Sequence, residues 1–595
     1  MKKTFLLICT FCLVSSAYAS DISLSLEKFT RMQDTITTTE EVSSEEIENK
    51  HSSQAMDILS NTTGVFVQKI GDTGRADPVI RGFGDSCRKL VVAIDGKPEY
   101  MALFGCGVSH SILAGNIDRI EIAKGPDSVL YGSGALGGAI NIITKTPTKP
   151  FEGEINFYTG SFNTQNAKVY LGGISNNIIY EFAANKMSSD GHLENSQYNA
   201  TDLYEKLGYI FKDGGVIRVQ AKQYSGLTHY PEPAMGGNEA FKSGAYWEDY
   251  QRGSVQADYN KIFSRTELSL KVFENYGEHK FSNKFHSRDS LIGAIAGLDI
   301  EIGDNNLLKT GAQFRQQEGK LVDKGTMSPM KLGKWKTSDW AVFVLDKHNF
   351  TDKFAAVAGA RYNNDEISGE FVAARGGLEY KIVEDVLVKA LYSRAFRSPY
   401  LNELYLLPSS NKNLKPEELN NYEIGFDFKK DDFTFNVTGF VMKGDNLIQN
   451  DKGKFKNSGD YEFKGSEISA GYVFDKYISA KAGYTYFNAG EHTMGRPESK
   501  ADTEINIKVS KWSLLLGGTY VGEYYAGDKK QDRMKDYVLV NAKLTYEVNE
   551  NIKLFIDGQN LTNQDYMIFI DRSTDGYPVM QMPGTAVYFG TNIKF

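Results

Sequence analysis

From Phe151 to the C-terminal Phe595 the chain repeats one pattern: segments of about ten residues in which apolar side chains fall at every second position. Examples are 165–173 (QNAKVYLGG), 216–223 (VIRVQAKQ), 371–380 (FVAARGGLEY), 385–394 (DVLVKALYSR), 432–442 (DFTFNVTGFVM), 477–487 (YISAKAGYTYF) and 551–559 (NIKLFIDGQ). Side chains along a strand alternate between two faces, so each segment has one apolar and one polar side. Ten tilted residues also match the span of a membrane-crossing strand. About 22 such segments can be counted, an even number that suits a closed antiparallel barrel. Short turns at 212–215, 303–305, 429–431 and 548–550 alternate with longer stretches at 224–250, 316–337, 395–419 and 560–584. Tight turns on one rim and long loops on the other predict a mainly β protein, a 22-stranded transmembrane β-barrel. A propeller or β-helix would show a repeat of fixed period, and none is present.

Composition agrees. Mean hydropathy is −0.38, and no run of ~18 apolar residues follows the N-terminus, which excludes a helical membrane protein. Gly 57, Tyr 34 and Phe 35 stand against only Pro 14, and the net charge of −8 argues against nucleic acid as a partner.

The N-terminus reads as an export signal over residues 1–19: Lys2 and Lys3, an apolar stretch from Phe5 to Val14, then Ala17-Tyr18-Ala19. Bulky Ile8 and Phe11 precede Cys9 and Cys12, where a lipoprotein signal would carry small residues. After cleavage two cysteines remain, Cys87 and Cys106. In an oxidising compartment they are expected to form a disulfide; the alternative is a metal-binding thiol at Cys106.

Residues 20–150 break the alternation. Gly-rich turns, a helical stretch from Ser44 to Leu59 with an N-cap at Ser43/Ser44, and short strands near 80–84, 90–97, 117–124 and 139–144 predict a compact α+β unit. A barrel of this size encloses a lumen that needs filling, so this unit is expected to plug it. The expected division is a periplasmic segment over 20–40, a plug over 41–146 and a barrel over 151–595. The glycines Gly125, Gly132, Gly134, Gly137 and Gly138 suit close backbone packing; a phosphate cradle is disfavoured because no G-x-x-x-x-G-K-[ST] is present. Arg81, Arg119 and Glu121 lie in apolar strands and, if buried, require partners, either as fixed pairs or as a releasable latch.

The stretch 117–145 (IDRIEIAKGPDSVLYGSGALGGAINIITK) resembles the plug signature of TonB-dependent outer-membrane receptors. Ile80–Asp85 (IRGFGD) and Val92–Lys97 (VAIDGK) are similar to the plug's earlier strands. In the barrel, 393–405 (SRAFRSPYLNELY), 414–423 (LKPEELNNYE), 560–566 (NLTNQDY) and 583–595 (PGTAVYFGTNIKF) are similar to the family's later signatures. The resemblance implies active import of a scarce small solute, a metal or metal chelate, across the outer membrane of a Gram-negative bacterium. It implies a monomer embedded in outer-membrane lipid, driven by an inner-membrane complex of the TonB–ExbB–ExbD type. No resident cofactor is required, and no nucleophile–base constellation suggests an enzyme. Gln33 to Thr39 (QDTITTT) resembles a TonB box, with Asp34, Thr35, Ile36, Thr37 and Thr38 as an extended, β-prone peptide available for strand addition. Its alternative is an ordinary disordered chain end.

Three solutes stay open. The family's base rate points to a ferric siderophore, although the loops are not conspicuously basic. Ten of the 14 methionines are expected in outer or plug loops: Met101, Met187, Met235, Met327, Met330, Met494, Met534, Met567, Met580 and Met582. Six of the eight histidines are expected there too: His110, His192, His229, His279, His286 and His492. With the C-x-x-x-H of Cys106 and His110 and the H-x-M of His492 and Met494, they suit copper. Copper receptors of this family carry C-x-x-x-M in the plug; here His110 replaces the Met, and His492 comes late in the chain. Tyr100 and Phe104 would line the pocket or cap the plug. Cobalamin is the third solute. From another class, a passive porin would share the barrel but lack the N-terminal unit. An outer-membrane protease or lipase would need a catalytic cluster at the rim.

Overall fold

Twenty-two strands hydrogen-bond into one closed ring in a computed structural model that describes residues 36–595 apart from 51, 53, 70, 72, 85–87, 114, 235–245, 327–329, 331, 452 and 570–578. Closure is made by the last strand, Ala586–Lys594, antiparallel to the first, Glu152–Gly160, with Tyr588 opposite Gly160 and Lys594 opposite Glu154. Every strand thereby finds two neighbours, and no row of backbone donors and acceptors is left facing lipid. The period-two pattern sorts the side chains: Leu203, Leu207, Val219, Val255, Phe314, Trp340 and Ile424 point outward, while Asp202, Lys206, Gln220, Gln256 and Arg315 are buried on the inner wall.

The strands are longer on one side than ten-residue segments predict. They run from 8 residues at Ile552–Gln559 to 19 at Asn306–Lys324 and Gly333–Thr351. Much of 224–250 and 316–337, expected as loop, is strand, because Val216–Tyr230 and Tyr246–Phe263 continue outward as a paired hairpin. Backbone pairing does not stop where the apolar belt stops, so polarity marks the membrane edge rather than the strand end.

The plug comprises β1 (Thr38–Val42), α1 (Ser44–Asn49), β2 (Val65–Lys69), β3 (Ala76–Ile80), β4 (Val91–Ile94), β5 (Lys97–Pro98), β6 (Ile117–Lys124), α2 (Ser128–Tyr131) and β7 (Gly138–Thr144). One sheet has the order β1-β6-β7-β4-β5, with β4 and β7 parallel, and β2–β3 form a separate hairpin. Its core is Val42, Ile58, Leu59, Ile80, Ile120, Ile122, Ile140 and Ile142. The single helix expected from Ser44 to Leu59 is two pieces, α1 and a 3-10 turn at Met56–Asn61. Ser43 and Glu46 form the capping box that starts α1. Beyond Lys50 the Ser52 hydroxyl donates to the Gln54 carbonyl at 2.5 Å and accepts from its N–H at 3.2 Å, a local alternative to continuing the helix.

Candidate functional site

The outward face of the plug is built by the loop that follows β5. Gly105 N–H donates to Met101 O at 2.7 Å and Met101 N–H to Cys106 O at 2.9 Å, which folds residues 101–106 into a tight turn. Gly105 sits at φ +69, and a Cβ there would run into the Tyr400 ring, so glycine is required twice over. The barrel wall seats this turn. Ala102 N–H donates to Asp289 Oδ2 at 2.7 Å, and Arg252 donates to Asp289 Oδ1 at 2.8 Å and to Tyr100 O at 3.2 Å. From the loop after strand Val386–Arg397, Asn402 N–H reaches Leu103 O at 2.9 Å.

Five of the residues singled out in the sequence share this loop. Tyr100 is half-buried beside Tyr400, with ring centroids 6.3 Å apart, and desolvation pushes its phenol up to about 12 against the opposing pull of Arg315. Phe104 packs against Phe285 at 6.2 Å. Met101 and Cys106 belong to a buried cluster with Val108, Met187, Tyr198, Tyr224 and Tyr250. The His110 ring stands edge-on to Tyr250 at 5.0 Å and to Tyr224 at 6.2 Å, and Tyr250 in turn packs on His279 at 4.7 Å. Met187, expected in a loop, lies in strand Ile178–Ser189. Cys87 lies outside the described residues, as do Met235 and Met327.

His492 and Met494 are elsewhere. They follow strand Ile478–Asn488, nearly opposite Val216–Tyr230 in the 22-strand ring. His492 is 3.7 Å from Asp528 and faces the Tyr461 and Phe463 rings, and Met494 N–H donates to Asp528 at 3.1 Å. The C-x-x-x-H and the H-x-M therefore do not meet. Among the described residues no group of three or more His, Cys, Asp or Glu could hold a metal ion.

Above the plug apex, described residues of the barrel loops pack onto Leu103. Leu103, Phe285, Leu321, Met330, Leu401 and Leu406 form one apolar cluster, joined by Phe104, Trp335 and Tyr405. Beneath it, Tyr100, Ser133, Arg315 and Tyr400 line two voids of about 10 and 20 Å³, too small for any organic solute. Sequence reasoning missed Arg252, Asp289 and Tyr250. Periodicity places them on the inner wall but gives neither their height nor what faces them across the lumen.

The inward face carries the charged groups. Arg81, at φ +49, a conformation rare outside glycine, donates to Glu423 at 2.6 Å and to Glu467 at 3.0 Å, both on the barrel, and lies over Phe440 at 4.3 Å. Burial alone would ease loss of its proton; the two carboxylates outweigh that and hold the guanidinium's pKa above its ordinary value. Arg119 instead pairs within the plug, with Glu121 at 3.1 Å. Ile36 is buried among Val129, Leu345, Val357, Phe371 and Phe396, and its carbonyl accepts from Arg375 at 2.5 Å. Thr38 begins β1 opposite Lys124 and bonds Glu423 through its hydroxyl; Asp34 and Thr35 lie outside the described residues. Three glutamates of α1 reach the barrel's inner rim: Glu45 to Lys508, Glu46 to Lys481, and Glu48 to Lys553 at 2.7 Å and Lys594 at 2.5 Å. Partial burial would raise the Glu48 carboxyl, but the two lysines overcome it and hold it down at about 2.

The comparisons with known proteins run along most of the chain. Residues 31–139 match the TonB-dependent receptor plug domain and residues 152–561 the β-barrel of TonB-dependent receptor-like proteins. The vitamin B12 transporter BtuB of Photobacterium profundum is 23% identical over 612 residues, covering 95% of this chain and 97% of that relative. Its counterpart in Vibrio vulnificus is 24% identical over 90% of each chain. Among solved structures, the siderophore receptor PirA of Acinetobacter baumannii superposes with a TM-score of 0.81 at 17% identity, covering 95% of this chain and 99% of that one. A variant of the ferric enterobactin receptor PfeA of Pseudomonas aeruginosa gives 0.80 at 16% identity, covering 96% and 99%. With a plug seated in a closed barrel and both domains matched in one chain, this protein belongs to the TonB-dependent receptors, outer-membrane transport proteins of Gram-negative bacteria.

Proposed function

We propose that this receptor imports an organic metal chelate of the cobalamin class into the periplasm. The observation that carries this reading is the character of the plug apex. Arg252, Arg315 and Arg397 are each neutralised by Asp289, Asp339, and Glu403 with Glu417, leaving the half-buried rings of Tyr100 and Tyr400 as its aromatic surface, backed by the buried Tyr224 and Tyr250. Such a surface suits a broad-faced solute of low net charge better than a polyanionic ferric chelate, which a field of uncompensated cations would attract. The likeness to vitamin B12 transporters over 95% of the chain points the same way. A copper reading draws on Met101, Cys106 and His110 sharing one loop beside Met187.

Coupling would run through Asp34–Thr38. Ile36 and Thr38 are held inside the barrel, so a periplasmic partner adding a strand to this segment must draw it out first. A TonB–ExbB–ExbD-type complex would supply the pull to a receptor acting as a monomer. The test is a deletion strain grown with corrinoid, ferric siderophore or copper limiting in turn. A defect confined to corrinoid limitation is expected; one confined to iron or to copper overturns the reading.

A further inference from the structure

A cavity of about 100 Å³ lies between α1 with its following turn and the barrel strands Thr164–Ser175, Tyr537–Glu547, Ile552–Gln559 and Ala586–Lys594. Five lysines line it, and three have an acidic partner: Lys594 with Glu48 at 2.5 Å, Lys145 with Glu154 at 2.6 Å, and Lys50 with Glu504 at 3.6 Å. The other two do not. Lys168 donates to the Ser52 carbonyl at 2.9 Å and Lys543 to the Glu48 carbonyl at 2.9 Å, both on the plug. Lys543 also lies over the Phe555 ring at 4.6 Å. Among the described residues neither ammonium has a carboxylate within ion-pair distance.

The nearest carboxylates, Glu154 for Lys168 and Asp557 with Glu48 for Lys543, act only from beyond ion-pair distance. An ammonium removed from water without a close counter-charge is costly, and each of these retains N–H donors beyond the one spent on a plug carbonyl. The cavity is not a dead end. It shares Lys50, Ser52, Ile58, Tyr158 and Lys543 with a second cavity of about 220 Å³, whose lining reaches Tyr566, Met582 and Pro583 in the outer loop. Together the two follow one seam between plug and barrel, from the outer loops to the rim where Glu48 grips Lys553 and Lys594.

We infer that Lys168 and Lys543 form an internal binding site for a phosphate- or carboxylate-bearing group, used by the solute as it passes along this seam. Such a group would give both ammonium ions the close ion-pair partner they lack, and the plug carbonyls that now hold them would withdraw as α1 is drawn away. Binding would then tighten as the plug loosens, which favours onward passage over return. The site rests on the chain being a TonB-dependent transporter and not on which solute it carries.

The probe is selenate, a phosphate-shaped anion with an anomalous signal, soaked into crystals of the full-length receptor. A peak within hydrogen-bond distance of both Nζ atoms is expected in the wild type. It should be lost in the Lys168→Gln/Lys543→Gln double variant and kept in the double Arg variant, which preserves charge. No peak in wild-type crystals overturns the site. A second arm compares surface binding with uptake of labelled cyanocobalamin and of a ferric siderophore. For whichever is carried, the Gln variant should bind it normally and accumulate it about tenfold more slowly, the scale of a lost charge-assisted hydrogen bond. A selenate peak with normal uptake would mean that the lysines hold free periplasmic phosphate, and would overturn the transit role. The anion arm stands even if neither solute is carried.

Discussion

Arg81 shows how much one side chain can hold. It carries a backbone conformation rare for a residue with a Cβ, and its guanidinium neutralises two buried barrel carboxylates. Arg81→Met would strand Glu423 and Glu467 without a cation. Removing one partner from a buried pair costs about 3–5 kcal/mol, so a lowered plug unfolding temperature in calorimetry is expected, with the barrel transition unmoved. A double variant that also replaces both glutamates by Gln should recover much of the loss. Gly105 is constrained differently: its left-handed φ and the Tyr400 ring both exclude a side chain. Gly105→Val should displace the apex turn and weaken solute binding at the outer face, read by equilibrium binding to whole cells. For Cys106, the expectation of a bond to Cys87 stands to be checked by thiol titration of the denatured, unreduced protein. Zero free thiols is the expected count, and two would remove the staple.

Among elements, α1 is short, polar and tied to the barrel by charge. The Glu48 carboxyl sits near 2 in the folded protein and near its ordinary 4.5 when released. Its contribution to the latch is therefore fully present above about pH 4.5 and is lost as pH falls from there through 2. Hydrogen exchange of residues 44–50 should quicken over that window, and Glu48→Gln should flatten the dependence; unchanged protection down to pH 2 would contradict the latch. The coupling segment is bound by packing as well as by backbone. Ile36→Pro is expected to abolish uptake while leaving outer-face binding intact, because proline deletes a donor from any added strand. Ile36→Ala should do less to strand addition, yet burial of Ile36 means that it also loosens the segment's seat.

At the scale of the whole molecule, transport requires that the plug move within a barrel whose strands cannot part. A short bismaleimide joining Glu48→Cys to Lys594→Cys should stop uptake without changing surface binding, whereas either single variant treated alike should still transport. Transport by the cross-linked protein would show that α1 need not leave the rim.

What the sequence determined by itself was whatever depends on local period and local chemistry. Alternation from Phe151 onward specified a closed barrel, because a two-faced strand in a membrane has no other way to satisfy its backbone. The 117–145 signature specified the plug, and Ser43 with Glu46 marked where its first helix begins. What only the tertiary structure decided was everything set by contacts across the lumen. Nothing in local spacing says that Arg81 meets Glu423 and Glu467, some 340 and 390 residues away, or that Cys106 and His492 face opposite walls. Strand lengths on the tall side were likewise hidden, since hairpins go on pairing beyond the lipid. The pair Lys168 and Lys543 is the sharpest case: each reads as an ordinary inward lysine, and only the closed ring sets them along one cavity with no carboxylate, among the described residues, at ion-pair distance of either.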